Sequence, residues 1–336
     1  MTSESNLQVR LASRPESLPG PEHWTISTTP IVEPTKEGQV LVGVRYISLD
    51  PAMRGWIRAE RSYIDPVEVG AVMRAGGVGT VLSSKHPDFA EGDQVLGITG
   101  VQSHALVDGG ELNPIDERLA PLPTFLGALG MPGLTAYFGL LDVGALAPGD
   151  TVLISGAAGA VGSVAGQIAR NKGAGRVVGI AGTDEKCRHI VDELGFDGAI
   201  NYRTDPVRQK IGELCPKGVD LYFDNVGGQI LDDALLCLGR GARVVICGAI
   251  SQYNNLGDVQ GPKNYLSLLV HRARMQGFIV FDYRERYPEA FKELAGWLAA
   301  GKLTHRETIV PGLETFPETF LRLFSGDKLG KLILQV

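Results

Sequence analysis

A glycine-rich segment that follows a β-branched strand constrains the fold of this chain more than any other feature. Thr151 to Gly166 reads T-V-L-I-S-G-A-A-G-A-V-G-S-V-A-G, and a second β-branched run follows at Arg176 to Ala181. A strand, a glycine turn, a helix and a second strand in this order are typical of the β-α-β unit that binds a dinucleotide. The pattern therefore predicts a parallel, doubly wound sheet with a ligand at the glycine turn.

The glycines of this turn have separate physical tasks. Gly159 lets the backbone approach a pyrophosphate, whose charge is met by N–H groups and the positive end of the helix. Gly162 lets the helix pack closely on the strand, and Ala157 stands where the usual pattern has its first glycine. The alternative is a glycine turn that binds no ligand, and the surrounding β-α-β pattern favours the dinucleotide.

The residues after the second strand of this unit indicate which dinucleotide is bound. An NAD site places a carboxylate there on the ribose 2′-hydroxyl, whereas this chain has Gly182 and Thr183. Lys186, in the first turn of the next helix, is placed to reach a 2′-phosphate, which favours NADPH. Asp184 and Glu185 argue against this, and the alternative for Lys186 is an exposed lysine of the helix surface.

Three further segments follow predicted strands and are expected at the carboxyl edge of the sheet, where ligands bind. Tyr202, in A-I-N-Y-R, closes over the same phosphate or is a surface aromatic residue. Y-F-D-N-V-G-G places Asn225 and a glycine turn at the edge, and C-G-A-I-S-Q-Y places Cys247 to Tyr253 beside the nicotinamide. Gly248 permits backbone contact there, and Cys247 is interpreted as a small packing residue because nothing nearby lowers its pKa.

The rest of the chain indicates a second, β-rich domain built from both ends. Short β-branched runs separated by Gly and Pro up to about Pro123 indicate an antiparallel, barrel-like or sandwich domain. The tail after about Gly301 returns to short strands, interpreted as a return to the first domain, with extra strands on the parallel sheet as the alternative. The predicted domains are a catalytic domain at 1–124, a dinucleotide-binding domain at 125–300 and the return at 301–336.

Charge and cysteine content exclude several classes of protein. The net charge of −6 gives no attraction to nucleic acid or to anionic membranes, and no apolar run is long enough to span a bilayer. Four cysteines without a C-x-x-C pair favour a reduced, cytoplasmic location. No cysteine precedes Cys187, so the histidines His23, His86 and His104 lack a thiolate with which to hold a catalytic zinc, and we predict no metal.

The motifs taken together resemble a known family. They are S-L-D-P-A-M-R-G, M-P-G-L-T-A-Y-F-G, G-A-A-G-A-V-G-S-V-A-G-Q-I-A, F-D-N-V-G-G, C-G-A-I-S-Q-Y-N, Q-G-F-I-V-F-D-Y and the terminal L-G-K. This set resembles the zinc-independent medium-chain reductases, in the NADPH-dependent alkenal/one reductase branch with the prostaglandin reductases, leukotriene hydroxydehydrogenases and curcumin reductases. The resemblance implies an α/β protein in which a Rossmann domain is inserted into a GroES-like, partly barrel-like catalytic domain, as a homodimer.

The resemblance also implies roles for individual residues. It assigns Ala160 to Ser163 to the pyrophosphate turn and Phe278 to Val280 to the nicotinamide half, a segment that no pattern in the sequence singles out. Ala52 and Lys328 depart from the family, which has a substrate-facing tyrosine and an asparagine near the cofactor at those positions. The candidate cofactor-binding residues are Gly159, Ala160, Val161, Gly162, Ser163, Thr183, Lys186, Tyr202, Asn225, Cys247, Gly248, Ala249, Ile250, Ser251, Tyr253, Phe278, Ile279, Val280 and Lys328.

The expected chemistry is hydride transfer to the β-carbon of an α,β-unsaturated ketone or aldehyde. The resulting enolate needs a hydrogen-bond donor for its oxygen and a proton for carbon, and a tyrosine hydroxyl is sufficient for either. The candidates are Tyr253, Tyr63 and Tyr265, each with a packing aromatic as the alternative. A quinone reductase and a non-catalytic NADPH-binding protein are the competing functions.

Overall fold

The chain forms two compact units. A computed structural model describes residues 5–60, 62–255, 259 and 261–336. One unit comprises Met1–Leu126 and Glu307–Val336, and the other comprises Gly127–Arg306. The predicted changes of domain at 124 and 300 lie close to these boundaries.

Strands and helices alternate in the second unit, and strands predominate in the first. The strands are β1 (Ser5–Leu11), β2 (Trp24–Pro30), β3 (Gln39–Ser48), β4 (Gly76–Ser84), β5 (Gln94–Ile98), β6 (His104–Asp108), β7 (Asn113–Pro114), β8 (Thr151–Ser155), β9 (Arg176–Ala181), β10 (Gly198–Asn201), β11 (Val219–Asp224), β12 (Leu238–Ile246), β13 (Arg274–Gly277), β14 (Glu307–Pro311) and β15 (Lys331–Gln335). The α-helices are α1 (Met53–Trp56), α2 (Met131–Phe138), α3 (Ala160–Asn171), α4 (Asp184–Asp192), α5 (Val207–Leu214), α6 (Gly228–Leu235), α7 (Leu266–His271), α8 (Tyr287–Ala299) and α9 (Phe316–Ser325).

The first unit is β-rich and uses both ends of the chain. Its larger sheet has the order β14-β15-β3-β4-β5-β7, with β6 paired to β3, and β1 pairs with β2 in a separate antiparallel ladder. The tail is part of this core because Phe316 and Phe320 of α9 stand edge-on to Trp24, with ring centroids 4.9 and 5.9 Å away. The C-terminal strands therefore extend the sheet of the first unit, and the alternative of extra strands on the parallel sheet is wrong.

The second unit is a doubly wound parallel sheet in the order β10-β9-β8-β11-β12-β13. Its strands β8, β9 and β11 are mostly buried hydrophobic runs, as expected of a sheet covered by crossover helices, whereas the edge strand β13 is exposed. The order reverses between β8 and β11, and the crevice at such a reversal is where ligands of these sheets bind. The predicted fold class, a Rossmann sheet with a β-rich second domain, is confirmed.

Sequence patterns missed some elements of this fold. The strands β1, β2 and β13 were not predicted. The helix α2 ends at Phe138, and the chain continues as a wider π-type turn over Gly139–Val143. A Cβ atom at Gly139 would lie 2.6 Å from the ring of Phe223 and 2.7 Å from the ring of Phe278, so these two rings need the glycine. Within the described residues, no helix is long and apolar enough to cross a bilayer.

Candidate active site

The glycine turn lies between β8 and α3, at the point where the strand order reverses. Gly156 has the left-handed φ of +59°, which favours glycine, and Gly159 caps α3 with extended backbone. A Cβ atom at Gly162 would lie only 2.4 Å from the carbonyl oxygen of Gly156. The tight turn that the usual pattern assigns to its first glycine is therefore made by Gly156, and the buried Ala157 at the next position ties the turn to β9 through Ile180.

The first residues of α3 offer backbone donors to an anion. The N–H groups of Ala160, Val161 and Gly162 stand in the first turn, where a helix supplies no acceptor, and the helix dipole adds positive potential. The amide of Ser163 differs, because it donates to the Gly159 oxygen at 3.0 Å. The N–H groups at the start of α3 thus fit a pyrophosphate, and Gly162 lets the helix lie close to the turn.

Position 182 is where an NAD site carries its carboxylate, and here a tyrosine ring covers it. A Cβ atom at Gly182 would lie 2.9 Å from Cε1 of Tyr202 and 3.0 Å from its hydroxyl. An aspartate at 182 would require the Tyr202 ring, which is 43% exposed, to move aside. In the observed arrangement the ring occupies the place of the acidic side chain that binds a ribose 2′-hydroxyl.

The surroundings of Gly182 are polar and contain basic side chains. Thr183 caps α4 by accepting a hydrogen bond from the Lys186 amide at 3.2 Å, and its own hydroxyl remains a donor. Asp184, which argued against a phosphate, receives the side-chain amide of Asn201 at 2.7 Å. Arg203, which sequence reasoning missed although it follows Tyr202 directly, has its guanidinium carbon 5.8 Å from the Tyr202 ring centroid.

A hydrogen-bonded group at the ends of β8 and β11 orients Asn225. The Asn225 amide donates to the Ser155 hydroxyl at 2.8 Å, and its side-chain nitrogen donates to the Ser155 carbonyl at 2.7 Å. Ser155 in turn donates to the carboxylate of Asp224 at 2.7 Å. Sequence reasoning listed Asn225 and missed Ser155 and Asp224, because an aspartate at a strand end shows no sign of burial in the sequence.

The loop after β12 is held against the end of β11. The amides of Cys247 and Gly248 donate to the Asp224 carbonyl at 2.9 and 3.1 Å. Tyr253 folds back over Gly248, and its hydroxyl accepts the Ala249 amide at 3.2 Å. Burial and the charge of Asp224 raise the pKa of the Cys247 thiol to about 12, which agrees with the interpretation of this residue as packing.

The remaining candidates differ in their surroundings. The ring of Phe278 points at Gly139 and at Tyr283, whose ring centroid is 6.4 Å away, so backbone rather than ring is what Phe278 to Val280 offer a ligand. Tyr265 precedes α7 and is 57% exposed. Lys328 lies in the first unit, between α9 and β15, and is partly exposed.

Tyr63 belongs to the first unit and has an aromatic partner there. The indole N–H of Trp56 donates to its hydroxyl at 3.1 Å, and the guanidinium carbon of Arg74 lies 5.8 Å from the Trp56 ring centroid. Partial burial raises the pKa of Tyr63, and the nearby charge of Asp50 adds to the shift. Tyr63 is therefore protonated at neutral pH, with 48% of its surface exposed.

Within the part of the chain that the structure describes, no group of three or more His, Cys, Asp or Glu residues is arranged to hold a metal ion. Tyr137, next to α3, has its pKa raised by burial and by Glu293, and it packs with Lys172 on the helix side. Tyr137 and Lys172 both donate to the carboxylate of Glu293, and these contacts support the packing of α2, α3 and α8.

Fold and glycine turn together define a dinucleotide-binding protein. Two family models match the chain, an N-terminal domain of oxidoreductase over residues 7–115 and a zinc-binding dehydrogenase over residues 160–296. A putative NADP-dependent oxidoreductase of Bacillus subtilis, YfmJ, is 47% identical over 99% of this chain and 98% of its own length. The NADPH-dependent curcumin reductase of Escherichia coli is 42% identical over 97% of this chain and 95% of its own length.

Solved structures agree with these relatives. CurA from Vibrio vulnificus in complex with NADPH superimposes with a TM-score of 0.93 at 41% identity, covering 98% of this chain and 99% of that one. The quinone oxidoreductase of Escherichia coli, at 22% identity and a TM-score of 0.80, shares the fold alone. The chain belongs to the medium-chain dehydrogenase/reductase family, in the branch of the NADPH-dependent curcumin, prostaglandin and 2-alkenal reductases, which confirms the resemblance seen in its motifs.

Proposed function

We propose that this protein reduces the carbon–carbon double bond of α,β-unsaturated ketones and aldehydes with NADPH. The observation that carries the proposal is 42% identity to a curcumin reductase along nearly the whole chain. The glycine turn, the tyrosine over Gly182 and the basic residues beside it support the cofactor. A quinone reductase is the weaker candidate, because the quinone reductase likeness extends only to the fold.

The residues present fit NADPH. Backbone donors of Ala160 to Gly162 would hold the pyrophosphate, and Thr183, Lys186, Tyr202 and Arg203 would surround the 2′-phosphate. Asn225, the Cys247 to Tyr253 loop and the backbone of Phe278 to Val280 would line the nicotinamide half. Bound there, NADPH supplies a hydride to the β-carbon of the substrate.

The protein's own part in the reaction is to donate a hydrogen bond to the enolate oxygen and to admit a proton to carbon. Tyr63 suits the first task because the Trp56 N–H bound to its oxygen polarises the hydroxyl and strengthens its donation. Tyr253 suits it because its oxygen accepts the Ala249 amide in the same manner. Tyr265 is the third candidate, and its exposure places it on the apolar surface discussed below.

Phenylalanine replacements separate these tyrosines. Tyr63→Phe and Tyr253→Phe preserve ring packing, so the one that donates to the enolate should lower kcat by about 100-fold with little change in NADPH affinity. Bound water or the ribose hydroxyl reduces this factor if either replaces the lost donor. A loss confined to KM for NADPH would assign that tyrosine to cofactor binding.

Product analysis with NADPH deuterated at the transferred position tests the function directly. We expect the label at the β-carbon of a saturated ketone, with the carbonyl intact. Label on a carbinol carbon would make the protein a carbonyl reductase.

Two further measurements test the competing functions. Initial rates with benzoquinones that exceed those with enones would establish a quinone reductase. Tight NADPH binding without oxidation over a panel of enones and quinones would indicate a non-catalytic protein. Chelation should not alter the rate, because the expected chemistry uses no metal.

A homodimer would cover the exposed apolar face of the second unit. β13 is the edge strand of the parallel sheet and all its residues are exposed. The preceding helix α7 and β13 itself carry exposed apolar side chains, of which Leu269 is 76% exposed; they are Leu266, Leu269, Val270 and Met275, with Tyr265 directly before α7. An apolar face next to an open strand edge is typical of an association surface, and pairing of β13 with its copy about a two-fold axis would satisfy the edge.

Light scattering tests the dimer. Leu269→Glu should give a monomer, and Leu119→Glu, at an exposed leucine of the first unit, is the matched control that should not. A dimer that survives Leu269→Glu would place the interface elsewhere.

We propose a cytoplasmic location, which the four free thiols support.

A further inference from the structure

The carboxylate of Asp224 is the most deeply buried charge at the carboxyl edge of the parallel sheet. Its exposed fraction is 0%. Every polar partner is a donor: Ser155 Oγ at 2.7 Å, the Tyr222 hydroxyl at 2.8 Å, the Val226 amide at 3.0 Å and the Gly227 amide at 3.1 Å. Two of these partners are backbone amides, which can only donate, so the site favours the negatively charged form of the carboxyl group.

This charge is surrounded by dipoles and not by a cation. Among the ion pairs formed by the described residues, none includes Asp224. Hydroxyl and amide dipoles stabilise the carboxylate in place, and the unit charge remains. In a low-dielectric interior, such a charge acts on its neighbours over several ångströms.

Two neighbours lie close enough to be affected by this charge. Burial raises the pKa of the Tyr222 hydroxyl, and the charge of Asp224 raises it further. The same two causes act on the pKa of the Cys247 thiol. Cys247 begins the loop after β12, and its amide donates to the Asp224 carbonyl at 2.9 Å, so Asp224 lies next to the loop that would line the nicotinamide half.

We propose that Asp224 is a fixed negative charge that favours the oxidised, positively charged nicotinamide ring over the reduced, neutral ring. The proposal rests on the proposed function, because it takes the nicotinamide half to lie at the ends of β8, β11 and β12. In the overall reaction the enone gains a hydride at its β-carbon and a proton from solvent, and the ring that gives up the hydride gains one positive charge. A fixed anion behind this edge stabilises the developing charge and thereby assists hydride departure.

The affinity ratio for the two nucleotides is the decisive measurement, because both carry the same 2′-phosphate and differ at the ring. Asp224→Asn should weaken NADP⁺ binding about tenfold more than NADPH binding. An equal loss for both nucleotides would mean that Asp224 only holds the loops, which overturns the proposal. Binding is followed by calorimetry without substrate, so the result is independent of whether enones are reduced.

Asp220→Asn is the matched control. Asp220 lies at the other end of the same strand, where its carboxylate accepts the Thr151 amide at 2.8 Å. The same loss of one charge from β11, far from the carboxyl edge, should leave the NADP⁺/NADPH affinity ratio within about twofold of wild type. A shift equal to that of Asp224→Asn would show that overall charge, and not position, sets the ratio, and would also overturn the proposal.

Tyr222→Phe decides the matter if Asp224→Asn does not fold. This variant keeps the charge and the buried ring and removes one hydroxyl dipole that points its positive end at the carboxylate. The carboxylate then acts more strongly on its surroundings, so the ratio should shift about two- to threefold toward NADP⁺, the opposite direction to Asp224→Asn. A shift toward NADPH, or none, would contradict the proposal. If wild type binds neither nucleotide, the proposed function itself fails.

Discussion

The two edges of the parallel sheet handle buried charge in opposite ways. At the amino edge, Arg243 pairs with Asp150 and also donates to the carbonyls of Gly144 at 2.9 Å and Asp220 at 3.1 Å. At the carboxyl edge, the described residues give Asp224 dipoles but no cation. A charge that is paired with a cation stabilises the fold, whereas a charge without a cation affects a ligand that binds nearby. The amino edge therefore contributes to stability, and the carboxyl edge is suited to a ligand.

The largest effect should come from adding a side chain at Gly162, where α3 packs against the glycine turn. Gly162→Ala places a Cβ atom 2.4 Å from a backbone oxygen, so turn and helix must move apart. We expect a loss of about 3 kcal/mol in the free energy of unfolding, together with a fall in NADPH affinity of at least about tenfold. Urea denaturation and fluorescence titration measure the two.

A glycine of another helix provides the control for Gly162→Ala. Gly212 lies in α5, and a Cβ atom there would meet nothing within 4 Å. Gly212→Ala should stabilise the protein by about 0.5–1 kcal/mol, because alanine has the higher helix propensity. If Gly162→Ala is as harmless as Gly212→Ala, the close approach in the turn is not required.

At the amino edge, the expected effect is on stability alone. Arg243→Met keeps much of the aliphatic length and leaves the partly buried Asp150 without its cation, which should cost about 3 kcal/mol of unfolding free energy. NADPH affinity should not change. The double variant with Asp150→Asn should recover part of the loss, because no unpaired charge remains. A parallel loss of NADPH affinity would contradict the division of tasks between the edges.

At the proposed 2′-phosphate site, the expected effect is on NADPH affinity alone. Lys186→Ala should weaken NADPH binding by about 1.5–3 kcal/mol, or tenfold and more, and leave NADH binding unchanged. Arg188→Ala, at an exposed position of the same helix, is the control and should change neither. Equal losses for both nucleotides would remove Lys186 from the 2′-phosphate site.

The smallest effect should be seen at Cys247, where the field of Asp224 acts on a thiol. Because the pKa is raised to about 12, the thiolate fraction is small below that pH and grows about tenfold per pH unit. Alkylation of Cys247 by iodoacetamide should therefore still be rising between pH 9 and pH 11, whereas glutathione levels off. Peptide mapping by mass spectrometry follows the reaction, and a plateau below pH 9 would show that burial and the charge of Asp224 do not raise the pKa of this thiol.

Local patterns in the chain were sufficient for the fold class and for much of the nucleotide site. The spacing from Thr151 to Gly166 predicted the β8-turn-α3 unit, and the residues after β9 indicated a phosphate. These features are local, since strand periodicity, turn glycines and helix starts depend on neighbours in sequence. The predicted roles of Thr183 and Lys186 stay predictions that the structure leaves open to experiment.

Other features depend on contacts between distant parts of the chain. The ring of Tyr202 occupies the place of an acidic side chain at position 182, and Gly139 is a glycine because two rings approach it. The strands β1 and β2 were not predicted, because they are stabilised by pairing with each other and by packing of Trp24 against α9. None of these contacts produces a recognisable residue pattern within one segment of the sequence.

Sequence patterns alone established a parallel dinucleotide sheet, a β-rich partner domain and a family of reductases, because each is encoded in short-range periodicity and in motif chemistry. The tertiary structure was needed to show that Asp224 is a buried charge without a cation among the described residues. Its partner Ser155 is 69 positions away in the chain, and only the pairing of β8 with β11 brings the two together. Burial and electrostatic field are properties of the folded interior, so they do not appear in the order of residues.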